Sequence, residues 1–328
     1  MKSNILQKMR VLAVLVLTVF VSTLTAQDLN KAGEVFNEGN QAVKADNYEL
    51  AIEKYQEALE IASQLGAEGE QIATSAKSSI PSLYYKMGIQ NYKEKNIDKA
   101  IGEFEKAITY GNEYGDQETT AKATDIIPKL YYAKGTSLYK ENKYQEALES
   151  FNQSAEMAPD YSRAYWGMGL AYNKLDQSMK VDEAFAKALE LARTEGDEKM
   201  ANKISATAKK LLQGEGATKL QTQEWDQAIE LVNASLKYDV NDKDSYYYLA
   251  LANNGLGKHD DAIVAALKGL ELSADENAEY KAKFYYELGN AYKGKGDNTQ
   301  ACEAYTNAKH GRFVESADYE LKTVLNCN

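Results

Sequence analysis

Seven times along the chain, a small residue is followed at fixed offsets by three more positions of fixed character. The first column reads Gly39, Gly88, Gly135, Gly169, Gly216, Ala250 and Gly289. Twelve residues on stand Ala51, Ala100, Ala147, Val181, Ala228, Ala262 and Ala301. Four further on come Tyr55, Phe104, Phe151, Phe185, Val232, Ala266 and Tyr305, and three beyond those Ala58, Ala107, Ser154, Ala188, Ser235, Gly269 and Ala308. Offsets of four and three place residues on one face of a helix. The gap of twelve leaves room for a helix end and a turn. Each unit therefore reads as two helices, held close by their small residues, with the larger apolar side chain filling the space beside them.

The intervals between units are 49, 47, 34, 47, 34 and 39 residues. Three of them exceed 34 by about thirteen residues, nearly four helical turns. Gly66, Gly115 and Gly196 each close a second helix in those intervals, as a glycine past a helix end does. The polar stretch that follows, such as Asp116 to Ile127, reads as a lengthened first helix. Pro81 and Pro128 are expected to kink or break two of these extensions. Asn96-Ile97-Asp98, Glu141-Asn142-Lys143 and Gly296-Asp297-Asn298 supply caps and breaks between paired helices. After the seventh unit, Phe313 to Asn326 reads as one more helix.

Composition refines this picture at the ends. Only three prolines occur in 328 residues, which favours helix throughout. Lys2, Lys8 and Arg10 precede an apolar run from Val11 to Leu24, and Thr25-Ala26-Gln27-Asp28 follows. This predicts a secretory signal peptide over 1–26, cut after Ala26, with an uncleaved anchor as the alternative. The run is shorter than the roughly 20 residues of a membrane span. No cysteine near the cut offers a lipid acceptor. Without the leader, 35 basic and 49 acidic residues remain, a net charge of −14. Such a surface repels phosphate backbones and argues against a nucleic-acid partner.

The ladder resembles the tetratricopeptide repeat, a helix–turn–helix unit of 34 residues. Residues 162–195 carry Tyr165, Met168-Gly169 and Tyr172, then Val181, Phe185 and Ala188. Residues 128–159 carry Tyr131, Gly135, Ala147, Phe151 and Pro159, and residues 282–312 carry Tyr285, Leu288-Gly289, Tyr292, Ala301, Tyr305 and Ala308. The resemblance implies an all-α fold, a right-handed superhelical solenoid of about seven repeats with a C-terminal capping helix. Residues 27–195 would hold units one to four, 196–312 units five to seven, and 313–328 the cap that covers the last apolar face.

Cys302 and Cys327 are the only cysteines, an even count that suggests a disulfide in an exported protein. Two separate thiols are the alternative. Cys302 aligns with Ile52, Ile101, Leu148, Ile229 and Ile263, so it should face a neighbouring helix, and a bond to Cys327 would pin the cap. The two histidines, His259 and His310, have no metal-ligand spacing. His259 shares its slot with Tyr48, Tyr144 and Trp225 and reads as a packing or surface residue. No phosphate loop, HExxH motif or nucleophile elbow occurs, and neither an enzyme activity nor a cofactor is expected.

In this family the first helices line the inner face. One column there reads Phe36, Tyr85, Tyr132, Trp166, Gln213, Tyr247 and Tyr286; another, five residues after the ladder glycine, reads Lys44, Lys93, Lys140, Lys174, Gln221, Gly255 and Gly294. The resemblance implies a peptide groove with aromatic contacts and a basic N-terminal half. Alternatively, both residue types are simply ordinary at these places in the family. The clamp of co-chaperone relatives is not expected, since Phe36 and Tyr286 stand where it needs lysine. With the leader, the resemblance implies an exported adaptor, most readily periplasmic and serving envelope assembly or transport in a Gram-negative cell. A self-assembling spacer and a cell-wall glycan-binding protein are the alternatives.

Overall fold

The computed structural model describes residues 27–327, so the expected leader lies outside the described residues. Fifteen α-helices and no strand occur among them. They are α1 (27–44), α2 (Tyr48–Gln64), α3 (Glu70–Lys93), α4 (Ile97–Tyr114), α5 (Gln117–Lys140), α6 (Tyr144–Met157), α7 (Ser162–Lys174) and α8 (Ser178–Thr194). There follow α9 (Glu198–Gln221), α10 (Trp225–Leu236), α11 (Lys243–Gly255), α12 (His259–Leu272), α13 (Ala278–Gly294), α14 (Asn298–Asn307) and α15 (Val314–Tyr319). Odd and even helices up to α14 are the first and second members of seven pairs. The chain is all-α, as its ladder implies. It forms two compact units, one ending at Ser137 and one starting at Leu138, with the division inside α5. No described helix is long and apolar enough to cross a membrane.

The ladder glycines have a steric reason. A Cβ at Gly39 or Gly88 would lie 2.8 Å from the Tyr55 or Phe104 ring, and one at Gly169 or Gly289 would lie 2.8 or 2.6 Å from Phe185 or Tyr305. Those rings are almost fully buried. By contrast, a Cβ at Gly214 in α9 meets nothing within 4 Å. Gly88→Ala should therefore destabilise by about 1–3 kcal/mol through overpacking. Gly214→Ala should stabilise by about 1 kcal/mol through helix propensity. Urea melts of the two variants check this; the same sign for both would remove the steric explanation.

Every pair turns by the same device. The loop between its helices is three residues long in all seven pairs, as at 45–47, 94–96 and 256–258. The middle residue is left-handed each time: Asp46, Lys95, Asn142, Asp176, Gln223, Gly257 and Gly296. The next amide reaches back five residues, as in Asn96 N to Asn91 O at 2.9 Å and Lys258 N to Asn253 O at 2.8 Å. That is the Schellman closure of a helix C-terminus, which satisfies carbonyls the helix leaves unpaired. Lys95 and Gln223 hold this conformation without the glycine that suits it best.

The thirteen-residue excess sits where expected. α3, α5 and α9 are each 24 residues long, against 13 for α7 and α11. Gly66, Gly115 and Gly196 all have positive φ. Pro81 and Pro128 lie within continuous helices, so neither breaks its extension. Each proline forfeits a bond to the carbonyl four residues back, on Lys77 or Thr124. Both of those residues are exposed, so water can take the place of the missing amide.

At the C-terminus, a 3-10 turn (Gly311–Phe313), α15 and a π turn (Glu320–Val324) form the cap. Ala317 and Leu321 bury against Ala301, Tyr305 and Ala308. Cys302 packs half-buried at this cluster, and its sulfur stands at disulfide distance from that of Cys327, with the Cα atoms 5.9 Å apart.

Candidate functional site

In the second unit the first helices approach one another, α9 against α11 and α11 against α13, more closely than do the second helices of consecutive pairs. The first helices thus form a layer of their own. Charge is sorted between the layers. α9 carries five lysines and two glutamates, and α7 has Arg163 and Lys174 with no acidic residue. Among second helices, α2 has four glutamates and one lysine, α6 three glutamates and no basic residue, and α10 Asp226 and Glu230 with no basic residue. Basic residues thus outnumber acidic ones on α3, α5, α7, α9 and α13, whereas α8 carries three of each and α1 and α11 have no basic excess.

The six predicted aromatics lie on first helices, and all are half-buried. Several of them also pack against core rings. Phe36 leans on Tyr55 with ring centroids 5.0 Å apart, Tyr85 meets Phe104 at 5.2 Å, and Tyr286 meets Tyr305 at 5.5 Å. Tyr247 sets its edge against Phe284 at 6.1 Å. Tyr132 is half-buried in α5. Trp166 differs: the Lys203 ammonium lies 4.0 Å from its ring centroid, and its buried indole N–H has no hydrogen-bond partner.

Gln213 interrupts this column, donating to Ser245 Oγ at 3.1 Å and to Asp242. Lys209, at the offset in α9 that Pro81 holds in α3, bridges Asp239 and Asp242 at 3.0 and 3.1 Å. Burial works to raise the Asp242 carboxyl, but hydrogen bonds from Ser245 and Lys209 outweigh it and hold the group below its usual range.

Lys44, Lys93, Lys140 and Lys174 are exposed on the last turns of α1, α3, α5 and α7. None makes an ion pair among the described residues. Eight residues separate each from its aromatic, about 12 Å along the helix, so the lysines run parallel to the rings rather than touching them. The change to glycine at 255 and 294 has a packing cause. A Cβ at Gly255 would lie 2.6 Å from the Trp225 ring, and one at Gly294 2.3 Å from the His259 ring. His259 is thus a packing residue, as its slot suggests, and His310 is exposed beside the final turn.

The structure also shows a residue that the ladder does not single out. Glu287 in α13 is 3% exposed. Asn254 Nδ2 donates to its backbone oxygen and to Oε2, both at 2.9 Å, and Asn290 Nδ2 donates to Oε2 at 3.1 Å. Tyr305 donates in turn to Asn290 Oδ1 at 2.7 Å. Burial raises the Glu287 carboxyl above its ordinary range, and the two amides offset that only in part. The available signal was a column: the residue two before the ladder position reads Asn37, Lys86, Ala133, Gly167, Gly214, Tyr248 and Glu287, with a carboxylate only in the last pair.

Cavities of about 590, 430 and 360 Å³ flank α8, and no predicted groove residue lines them. No described group of His, Cys, Asp and Glu could hold a metal ion.

Three family models match the chain: a TPR repeat over residues 135–176, and tetratricopeptide repeats over residues 215–279 and 282–309. No curated protein matches it. Among solved structures, YrrB, a TPR protein with an unusual peptide-binding site, is 19% identical over 55% of this chain and 84% of its own, with a TM-score of 0.34. MamA from Desulfovibrio magneticus RS-1 (41 to its end) is 23% identical over 58% of this chain and 97% of its own, TM-score 0.34. The TPR2AB domain of yeast Sti1 in complex with pHSP90 is 20% identical over 74% of this chain and 92% of its own, TM-score 0.29.

Proposed function

Because the chain is a tetratricopeptide-repeat protein, we propose that it is a non-catalytic scaffold that holds an acidic segment of a partner protein against its first helices. The observation that carries this reading is the sorting of charge: exposed Lys174, Lys203 and Lys210 sit on first helices, while α2, α4, α6, α10, α12 and α14 carry an acidic excess. Like charge turns an acidic ligand away from the outer layer and opposite charge steers it to the inner one. The half-buried rings add contact area at little entropic cost. The apolar leader supports an exported site of action, in the periplasm or at the envelope, with assembly or transport as its process.

Fluorescence anisotropy with a labelled glutamate-rich peptide tests the reading. Changing Lys174, Lys203 and Lys210 together to Gln should weaken binding at least tenfold and flatten its salt dependence. Changing the second-helix Lys187 and Lys268 to Gln should leave it unaltered. Equal affinity for both variants would overturn the proposal.

One observation favours the spacer reading. Val264 and Leu267 on α12 are 68% and 49% exposed, where most other second helices carry polar residues. Light scattering that shows a concentration-dependent oligomer, lost in Val264→Glu, would support self-assembly instead.

A further inference from the structure

We propose that the cleft between α8 and α10 receives α12 of a second copy of the chain, with Val264 and Leu267 as the apolar knob. The inference deepens the spacer reading, on which it rests, by naming what covers those two side chains. It uses the outer layer alone and so stands apart from the acidic-segment reading of the first helices.

The knob breaks two polar columns. Val264 is 68% exposed where other second helices carry Glu53, Glu149, Glu183, Glu230 and Glu303. Leu267, 49% exposed, stands in line with Gln56, Glu105, Asn152, Asn233 and Thr306. An apolar patch rimmed by polar residues is the mark of a contact surface. Spacings of three set Asp261, Val264 and Leu267 along one side of α12.

The hole lacks a plug. In α2, α4 and α6 the residue after the second ladder position is Ile52, Ile101 or Leu148, and each is buried. In α8 that residue is Asp182. Tyr238 donates to Asp182 Oδ1 at 2.9 Å and to its backbone oxygen at 3.2 Å, and Lys237 pairs with Oδ2 at 2.6 Å. A polar clasp thus ties the end of α10 to α8 where an aliphatic side chain would fill the space. Beside it opens the cavity of about 430 Å³, with buried Leu189 and half-buried Tyr238 in its lining and Ala186, Arg193 and Thr194 exposed on it. Ala186 holds the column that Leu267 holds in α12, small where the knob is large.

Size and charge agree. Valine and leucine side chains together bring seven carbons, each of about a water's share of volume, roughly 30 Å³, so the cavity has room for both. Arg193 and Asp261 are exposed, and neither makes an ion pair among the described residues. Each answers the other when α12 of one copy enters the cleft of the next. Knob and hole lie on different helices, so a copy that gives its α12 keeps its own cleft free. Such a contact is head-to-tail and propagates from copy to copy, unlike a two-fold dimer.

Sedimentation velocity of the chain from Gln27 on tests the contact. The wild type should grow in size with concentration. Val264→Glu spoils the knob and Ala186→Glu the hole; both positions are exposed, and each change should weaken association at least tenfold. Mixed in equal amounts, the two variants should form a dimer that grows no further, since one brings an intact hole and the other an intact knob. A mixture that stays monomeric overturns the proposal, as does a monomeric wild type. Assembly of Ala186→Glu like wild type would overturn it too, while leaving the spacer reading in place with α12 against another face. Both variants should bind the glutamate-rich peptide as the wild type does, so the acidic-segment reading fails or holds separately.

Discussion

Glu287→Ala should destabilise the last two pairs by about 2–4 kcal/mol, because it strands the Asn254 and Asn290 amides and leaves a void. Glu287→Gln keeps an acceptor and should cost less than about 1 kcal/mol. The two should also differ from wild type in pH dependence. The folded carboxyl is raised above its unfolded value by burial. Between the ordinary carboxylate range and that raised value, the unfolded chain binds fewer protons than the folded one. This group's contribution to stability is therefore full below the unfolded pKa and is lost as pH rises through the folded one. Asp242 and Asp318, both held low by their partners, act in the opposite sense. The wild type minus Glu287→Gln difference isolates the buried group. The groups bonded to it are the side-chain amides of Asn254 and Asn290. Urea melts at pH 4, 6 and 8 should show the difference shrinking with pH; a constant difference would remove Glu287 as its source.

Breaking the Cys302–Cys327 link should cost about 3 kcal/mol, the loop-closure effect for a sequence separation of 25 residues. The loss should be local, since each repeat leans only on its neighbours. Hydrogen exchange after reduction should show deprotected amides over 314–327 and α14, with α7 to α10 unchanged. Cys327→Ser should reproduce the pattern without reductant. Alkylation of both thiols in the untreated protein would mean that no bond holds the cap.

The helix pairs were legible because their signal is steric and repeated. A glycine that faces Phe104 or Tyr305 cannot vary freely, so seven copies expose the period. The long first helices were legible for a similar reason, as intervals of near-constant excess between glycines. What was hidden depended on groups distant in sequence. Pro81 suggested a kink or break because its missing bond is local, while the packing around Ile80 and Leu83 that accompanies the continuous α3 is tertiary. The spacing of the aromatic column fixes a helix face, but not how deep each ring sits. The column of lysines gives way to glycine at 255 and 294 because of the space taken by Trp225 and His259, which the column itself does not show. Glu287 escaped notice because one glutamate in a helix carries no pattern until Asn254, thirty-three residues earlier, is known to meet it.

The constancy of the three-residue turns has a consequence for how such a chain can be cut and joined. Connections between pairs vary from the two residues at 115–116 to the six at 237–242, and the added helical turns all follow such joints. The connection inside a pair does not vary, because its left-handed residue and back-reaching amide leave no room for insertion. The joints are thus the seams of the protein: a permuted terminus, a fluorescent tag or a grafted repeat belongs there. The same cargo placed at Lys95 or Gln223 would split a helix pair from within.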